Sequence, residues 1–593
     1  MINIDVNQSI YQAWKKNNAD YFDADAMEYF GNKWTFAEVD EMITKYARAF
    51  KKMGITTSST VSFCAPGVPA VLFGLMALNK IGARMTFVSA PVLAFNGTEY
   101  LDKPEAEILI VLDKFYPLVA ESVSKTRVRK IILLSFSDNA AVVSERLPEK
   151  LRYVLSTNDY KNIKKTSPDA DKMMSLREFE KLGAGDGDVR EYYDPGATAV
   201  ILYTGGSTGI PKGVERTNEA TLSMVKVLTR EELNMGDIRG LRNGIFIPPN
   251  HPTSFVHSIV APWILGTVEV LQPFYDKNTF VRDLYSLKVG YAVGAPSHYA
   301  MFLSNDLSDG ALAHLKLPFC GGESVTYELA QGINEEFERL GVANPLIVCY
   351  GMSEVGPLAN MGIGDKTLVN RSGKLLPGMK GRIRKDDGKL AKPGEKGILE
   401  INTDGVGTAM KGYFSQPELT KAFWTDDGYA ITGDIGVCDA DGNYDMLGRA
   451  TDCFVDRRGV KRYMFEIEGL IYKNDAVAEA EVSRLIVEDG ATQIPVAHIV
   501  LQDEAVDKAE KVMRKIVAYL EKKLPKVMCP AGYRFVTSFP TNAVSGKRDY
   551  LAVGTIRDGF YSLDEKGKLV EIEFPEKSTA KIKLADRVVI RNK

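Results

Sequence analysis

The sequence is poor in residues that would place it in several large protein classes. Six cysteines occur in 593 residues (Cys64, Cys320, Cys349, Cys438, Cys453 and Cys529), and no two form a C-x-x-C pair. That scatter excludes a disulfide framework and a cysteine zinc site, and it reads as reduced, mostly buried thiols of a cytoplasmic protein. Histidine is scarcer, with five in all. No third ligand at metal spacing accompanies His251 and His257, so no metal site is expected there. An excess of one charge is also missing: 74 Lys and Arg against 77 Asp and Glu leave −3, which gives no sign of a nucleic-acid partner. No uninterrupted apolar run reaches about 18 residues, so no transmembrane helix is expected. The start, MINIDVNQS, lacks the basic-then-apolar pattern of a signal peptide.

What remains is the composition of a soluble globular protein, 45% hydrophobic and 25% charged, and a length that calls for two to four domains or subdomains. Residues 10–30 read as an amphipathic helix and an acidic turn, and 34–53 as a strong amphipathic helix opened by Thr35 and stopped by Gly54. Apolar runs at 61–65, 84–88, 108–112 and 130–134 alternate with helical stretches, the pattern of a mostly parallel sheet covered by helices. Residues 151–187 are polar and read as surface. A second alternating block runs from 197 to about 340. From 381 to 401, short strands with Gly, Pro and Asp turns suggest a small β-barrel-like subdomain. After 448–456 the chain becomes a small charged α/β unit. Its last stretch, 550–593, alternates apolar and charged residues as a hairpin or meander would.

Residues 202–214, LYTGGSTGIPKGV, carry the first chemistry. A strand-length apolar run precedes them. Helical spacing follows from 218 to 232, with Thr217 or Asn218 as N-cap. Gly205, Gly206 and Gly209 let the backbone turn sharply and bring N–H groups to a ligand. Thr204, Ser207 and Thr208 add hydroxyls, and Lys212 adds a mobile cation. The set suits a polyphosphate. It is not a P-loop, because Lys212 is followed by Gly213 and the hydroxyls precede the lysine. In YGMSEVGP, 350–357, Tyr350 can lie flat on an adenine, Ser353 can bond a phosphate or acyl oxygen, and Glu354 offers magnesium a hard oxygen. In ITGDIG, 431–436, Asp434 can accept from two ribose hydroxyls. In GRATD, 448–452, Arg449 can reach ribose or phosphate. Taken singly, each motif also reads as ordinary structure: a surface loop, a polar turn, a β-turn aspartate.

Together and in this order, STG-x-PKG, YGMSE, TGD and GR-x-x-D resemble the signature motifs of the adenylate-forming superfamily, which includes acyl-CoA synthetases, luciferases and adenylation domains. The resemblance covers nearly the whole chain. It implies a large N-terminal domain, residues 1–447, of two mixed α/β sheets plus the small β-barrel-like subdomain. A hinge at 448–456 and a small mobile α+β lid domain at 457–593, carrying an appended β tail, would follow. The nucleotide site would comprise the 204–212 loop, Tyr350, Gly351, Met352, Asp434 and Arg449. Gly322, Glu323 and Ser324 of CGGES would line the adenine and acyl pocket, and His251 would lie beside the carboxylate substrate. Gly459 would wall the pantetheine tunnel, and Lys461 holds a place often taken by Arg. PTNAVSGKRDY, 540–550, is similar to the C-terminal P-x-x-x-x-GK motif with one extra residue, which makes Lys547 the candidate catalytic lysine. Thr451 departs from the Asp or Lys usual at the hinge.

The implied reaction is acyl-adenylate formation from ATP with Mg2+, followed by thioester formation with coenzyme A. Acetate and propionate enzymes carry a bulky Trp where this chain has Gly351, so an open pocket floor and a medium- or long-chain fatty or aryl acid are expected. The apolar stretches 251–263 and 294–301 agree with that. Still open at this stage are a stand-alone adenylating enzyme that loads a carrier protein, a catalytically silent nucleotide-binding relative, and whether the chain forms a homodimer.

Overall fold

The computed structural model describes residues 4–141, 149–204, 212–274, 277–366, 368–456, 458, 460–486, 493–540, 550–556, 558–564, 566–573 and 589–591. Two compact units result: Met1–Thr432 with Gly436–Met446, and Gly433–Ile435 with Leu447–Lys593.

The first unit is built on two eight-stranded sheets. In one, the strands Arg84–Phe87, Thr60–Cys64, Ala106–Leu112, Lys130–Leu134 and Met173–Ser175 run parallel beside Thr198–Thr204. In the other, Asp25–Tyr29, Val268–Leu271, Arg242–Ile245, Tyr291–Gly294, Leu317–Gly321 and Ile347–Met352 form the parallel centre, and Asn32–Thr35 and Gly356–Met361 are antiparallel edges. Parallel strands need both faces covered, so they read as near-continuous apolar runs. That is why the runs at 61–65, 84–88, 108–112 and 130–134 were legible in the sequence, whereas Met173–Ser175, in a stretch that reads as surface, was not.

The helix Phe36–Lys52 forms as its punctuation dictates. Thr35 and Glu38 exchange both bonds of a capping box, and Gly54 takes a left-handed φ of 82° just past the end. Its face Phe36, Val39, Ile43, Tyr46 and Phe50 is buried at helical spacing. The helix Pro69–Lys80 is buried all round. Within it the Lys80 ammonium is satisfied by Tyr11, Thr44 and Asp188 at 2.9–3.2 Å. In 10–30 the expected helix is Ile10–Asn18, but where the acidic turn was expected the chain enters the strand Asp25–Tyr29. The acidic turn hid that strand, whose core contribution is only Ala26, Met27 and Tyr29.

Lys380–Arg384 and Lys396–Asn402 stand where short strands were expected, at 381–401, and form a four-stranded sheet with Ala430–Cys438 and Tyr444–Arg449. In the second unit, the hairpin Cys453–Val455/Lys461–Tyr463 leads to a six-stranded sheet. The helices Met464–Ile471 and Ala509–Lys523 bury Ile467, Ile471, Met513, Ile516 and Leu520 in this unit's core. The tail strands Phe560–Leu563, Leu569–Glu573 and Val589–Arg591 join the sheet as an antiparallel meander after Tyr533–Phe535.

Candidate active site

The glycine-rich segment leaves one strand and re-enters another. Thr198–Thr204 ends opposite the start of Lys212–Thr217, with Thr204 paired to Lys212 and its Oγ1 3.4 Å from the Lys212 carbonyl. The two ends of the loop therefore lie side by side. Gly205, Gly206, Ser207, Thr208 and Gly209 fall outside the described residues. The expected helix, Asn218–Leu228 capped by Thr217, is present, but a strand precedes it. KGVERT did not read as a strand because one of its buried positions is an arginine.

Alternation along Lys212–Thr217 puts Lys212, Val214 and Arg216 on one face. Val214 packs with Met410 and Tyr413. The Lys212 ammonium lies 5.3 Å from the centre of the Tyr413 ring. The Tyr413 hydroxyl donates to Glu354 Oε1 at 2.7 Å, and the Met410 N–H donates to the Glu354 carbonyl at 2.8 Å. Tyr413 thus joins the loop lysine to the carboxylate of YGMSE. Arg216 is wholly buried and donates to the carbonyls of Ser353, Thr408 and Ala220 at 3.0–3.4 Å. Neither Tyr413 nor Arg216 was found from the sequence, since their partners Glu354, Ser353 and Thr408 are distant in the chain.

Glu354 is buried, with 8% of its surface exposed. Among the described residues no cluster of three or more His, Cys, Asp or Glu could cage a metal ion. A single hard carboxylate is the donor set that suits magnesium, which keeps most of its shell as water and phosphate oxygens.

The strands Leu317–Gly321 and Ile347–Met352 are parallel neighbours, Gly321 opposite Cys349. CGGES and Tyr350–Glu354 therefore leave the sheet at the same carboxyl edge, where ligands of α/β sheets bind. A Cβ on Gly321 would come within 2.9 Å of the Cys349 carbonyl, and Gly322 has a left-handed φ of 93°. Ser324 is exposed, and Glu323, Tyr350, Met352 and Ser353 are half-buried.

Gly351 requires a correction. A Cβ there would meet the Pro357 carbonyl oxygen at 2.4 Å and the Leu358 Cα at 2.7 Å, at a register shift between Tyr350 and Met352. The close approach of the neighbouring backbone explains the glycine, so its bare Cα is no evidence for a deep pocket. The apolar residues expected to line that pocket, such as Phe255, Val256, Ile259 and Trp263, are fully buried core.

His251 is half-buried at the head of the Ser254–Val260 helical segment. Its N–H bonds the Pro248 carbonyl and its carbonyl accepts from Phe255. His257 is different in kind: it is buried, its Nδ1 is 2.9 Å from the Tyr291 hydroxyl, and burial pushes it down to about 4. A cavity of about 180 Å3 beside the helix Tyr327–Leu340, lined by Asn334, Phe337, Val342 and Lys366 among others, holds none of the expected site residues.

The second unit holds Asp434, Arg449 and Lys461. Asp434 is buried and Arg449 half-exposed, with Nε 3.1 Å from Oδ1. Beside them the Ala450 N–H donates to the Gly433 carbonyl at 2.8 Å. Thr451 Oγ1 lies 3.2 Å from Asp452 Oδ1, and Arg484 bonds the carbonyls of Thr451 and Cys453 around that aspartate. Lys461 begins its strand half-buried, with its ammonium 5.1 Å from the centre of the Tyr463 ring. Gly459 and Lys547 fall outside the described residues.

A fold of this kind, in which a buried carboxylate and a half-buried lysine meet through Tyr413, is that of the adenylate-forming enzymes. The profile of the AMP-binding enzyme family matches residues 14–414, and that of its C-terminal domain matches residues 466–547. The chain belongs to the AMP-binding enzyme family. Among curated relatives, it is 24% identical to the long-chain-fatty-acid–CoA ligase of Bacillus subtilis (strain 168), across 91% of this chain and 93% of that one. It is also 24% identical to the medium-chain fatty-acid–CoA ligase of Escherichia coli (strain K12), across 76% and 73%. Its fold is that of ATP-bound MatB from Rhodopseudomonas palustris (TM-score 0.73, 20% identity, 92% of this chain and 98% of that). The anthranilate CoA ligase AuaEII in complex with anthranoyl-AMP is also similar (TM-score 0.72, 19% identity, 93% and 97%).

Proposed function

We propose that this chain is an AMP-forming acid–thiol ligase, and that the Lys212–Tyr413–Glu354 contact is the observation that carries the reading. It joins a phosphate-type lysine and a magnesium-type carboxylate drawn from two motifs. In the first step a carboxylate oxygen of the acid attacks the α-phosphorus of ATP, the bond to the β-phosphate oxygen breaks, and pyrophosphate leaves. Positioning and charge stabilisation carry such a step. The Thr204–Lys212 loop holds the β- and γ-phosphates, and Tyr350, Gly351 and Met352 with Gly322–Ser324 bracket the adenine and acyl group. Ser353 bonds a phosphate or acyl oxygen, and His251 sits by the acid. Asp434 and Arg449 bind the ribose. Glu354 would hold Mg2+, which supplies charge neutralisation for the phosphates. Lys547 neutralises charge developing on the α-phosphoryl group.

In the second step the coenzyme A thiol, losing its proton, attacks the acyl carbonyl carbon, the C–O bond to phosphate breaks, and AMP leaves. Gly459 and Lys461 serve this step. Residues 457–593 act as a lid that pivots at 448–456, with Asp452 beside the unusual Thr451. Coenzyme A as acceptor and a medium- or long-chain fatty or aryl acid as substrate are supported by the names of the relatives. A cytoplasmic setting is supported by the six free cysteines.

ATP–pyrophosphate exchange on a panel of fatty and aryl acids, followed by addition of coenzyme A and mass-spectrometric detection, tests the proposal. Exchange with some acid and its conversion to acyl-CoA are expected. Exchange without any thioester would instead point to a carrier protein as acceptor, and exchange with no acid would remove the catalytic reading.

A further inference from the structure

The segment Ser254–Val260 is a π-helix, and at its end the Ala261 N–H reaches back five residues to the Val256 carbonyl. Such turns are rare and are often found at functional sites. Here the cause lies one residue on. Pro262 has no N–H to give to the carbonyl four residues back, Ser258, or five back, His257. Both carbonyls are met from the sheet instead. The Tyr291 hydroxyl lies 3.0 Å from the His257 carbonyl, and Asn243 Nδ2 donates to the Ser258 carbonyl at 2.6 Å. Tyr291 has one proton to give. Given to the carbonyl, it leaves the Tyr291 oxygen to accept from His257 Nδ1–H at 2.9 Å. The imidazole is then the neutral tautomer with its proton on Nδ1.

The two donors stand side by side. Asn243 is paired with Tyr291 on one neighbouring strand and with Glu269 on the other, so the three side chains share a sheet face. Glu269 Oε2 accepts from Asn243 Nδ2 at 2.6 Å and Oε1 from the Thr267 hydroxyl at 2.7 Å, which fixes the amide. Asn243, Tyr291, Glu269 and His257 are each at most 1% exposed. Water cannot stand in for donors buried this deeply, so the helical register they satisfy is the one kept. At the head of the segment the Phe255 N–H donates to the His251 carbonyl at 2.9 Å, and the Ser254 hydroxyl donates to the Ile247 carbonyl at 2.6 Å. The place of His251 is therefore tied to that register. We infer that Asn243 and Tyr291 are positioning residues, which lock residues 254–260 in the π register and so hold His251 beside the acid. In the α register the head of the segment would shift by one residue, about 1.5 Å along the axis and about 100° around it. The inference rests on the reading of His251 as the residue by the carboxylate substrate.

The test uses the full chain as wild type, Tyr291→Phe and Asn243→Ala, each also combined with His251→Ala. Tyr291→Phe keeps the ring and removes only the hydroxyl; if it fails to fold, Asn243→Ala carries the same test. Tyr291→Phe is expected to raise KM for the acid about tenfold or more, the scale of a misplacement near 1 Å, and to leave KM for ATP within about twofold. In the His251→Ala background the same change should add nothing, because a residue that acts through His251 has no effect once His251 is gone. Hydrogen exchange followed by mass spectrometry, with no acid present, should speed up at residues 251–261 and nowhere else. A brace without a positioning role would raise both KM values alike, or lower stability with neither KM changed, or keep its full effect in the His251→Ala background; any of these overturns the inference. If wild type turns over no acid, the ligase proposal falls and exchange decides this inference alone: faster exchange confined to 251–261 supports the lock, and unchanged or chain-wide exchange overturns it.

Discussion

Arg216 and Arg449 are handled in opposite ways by the two units. Arg216 is wholly buried, bonded to three carbonyls and, among the described residues, without an acid at ion-pair distance, whereas Arg449 is half-exposed and has Asp434 for a partner. In the first unit, buried hydrogen bonds surround Glu354 and Tyr413. In the second, Asp434 and Arg449 form an ion pair whose arginine is partly solvated. A pair whose arginine is half-exposed adds little to stability, typically about 0–1 kcal/mol, so in the proposed role a ligand displaces this ion pair at small cost. The buried set cannot rearrange so cheaply. Rigidity therefore belongs to the Glu354 and Tyr413 set of the first unit, and adaptability to the Asp434 and Arg449 pair of the second.

The contrast can be broken most decisively at Glu354. Glu354→Gln should lower ATP–pyrophosphate exchange by about 100-fold or more, the scale of losing a preorganised electrostatic contact, and should raise the Mg2+ needed for half-maximal rate. A variant with normal magnesium dependence would remove this carboxylate from the metal role. Next comes acid stability, where burial in the first unit should dominate. His257 has a folded value of about 4 against 6.5 when unfolded. The unfolded chain takes up that proton first, so the contribution is fully present above pH 6.5. It declines by about 1.4 kcal/mol per pH unit as pH falls towards 4. Urea unfolding at pH 7 and pH 5 should show His257→Met with the shallower loss, and identical slopes would contradict the assignment.

On the adaptable side, Asp434→Asn should weaken ATP about tenfold while shifting the melting temperature by no more than a degree or two, since a solvated pair contributes about 1 kcal/mol at most. A large stability loss without an affinity change would reverse the comparison. Last, Tyr413→Phe removes one bond to a carboxylate. A drop in stability of about 1.5–3 kcal/mol is the upper expectation, with only a several-fold rise in the half-saturating Mg2+ concentration. If it matched Glu354→Gln in effect, Tyr413 would have to act on the reaction itself.

The sequence by itself determined the elements whose signals are local. Thr35, Glu38 and Gly54 bound a helix by their own chemistry, the apolar runs at 61–65 and 108–112 had to be parallel strands, and the motifs at 204–212, 350–354, 431–436 and 448–452 pointed to a family because each is contiguous. The tertiary structure decided what depends on residues far apart. Tyr413 reaches Glu354 and Lys212 only because Gly412–Tyr413 pairs with Lys212–Thr217, a contact that no local pattern announces. Gly351 illustrates the reverse failure: the sequence suggested room for substrate, whereas the strand beside it leaves none for a Cβ. KGVERT hid a buried strand because periodicity is read from apolar residues, and here one buried position carries a charge. A charge is tolerated there because carbonyls from three separate segments converge on it, and such convergence exists only once the chain has folded.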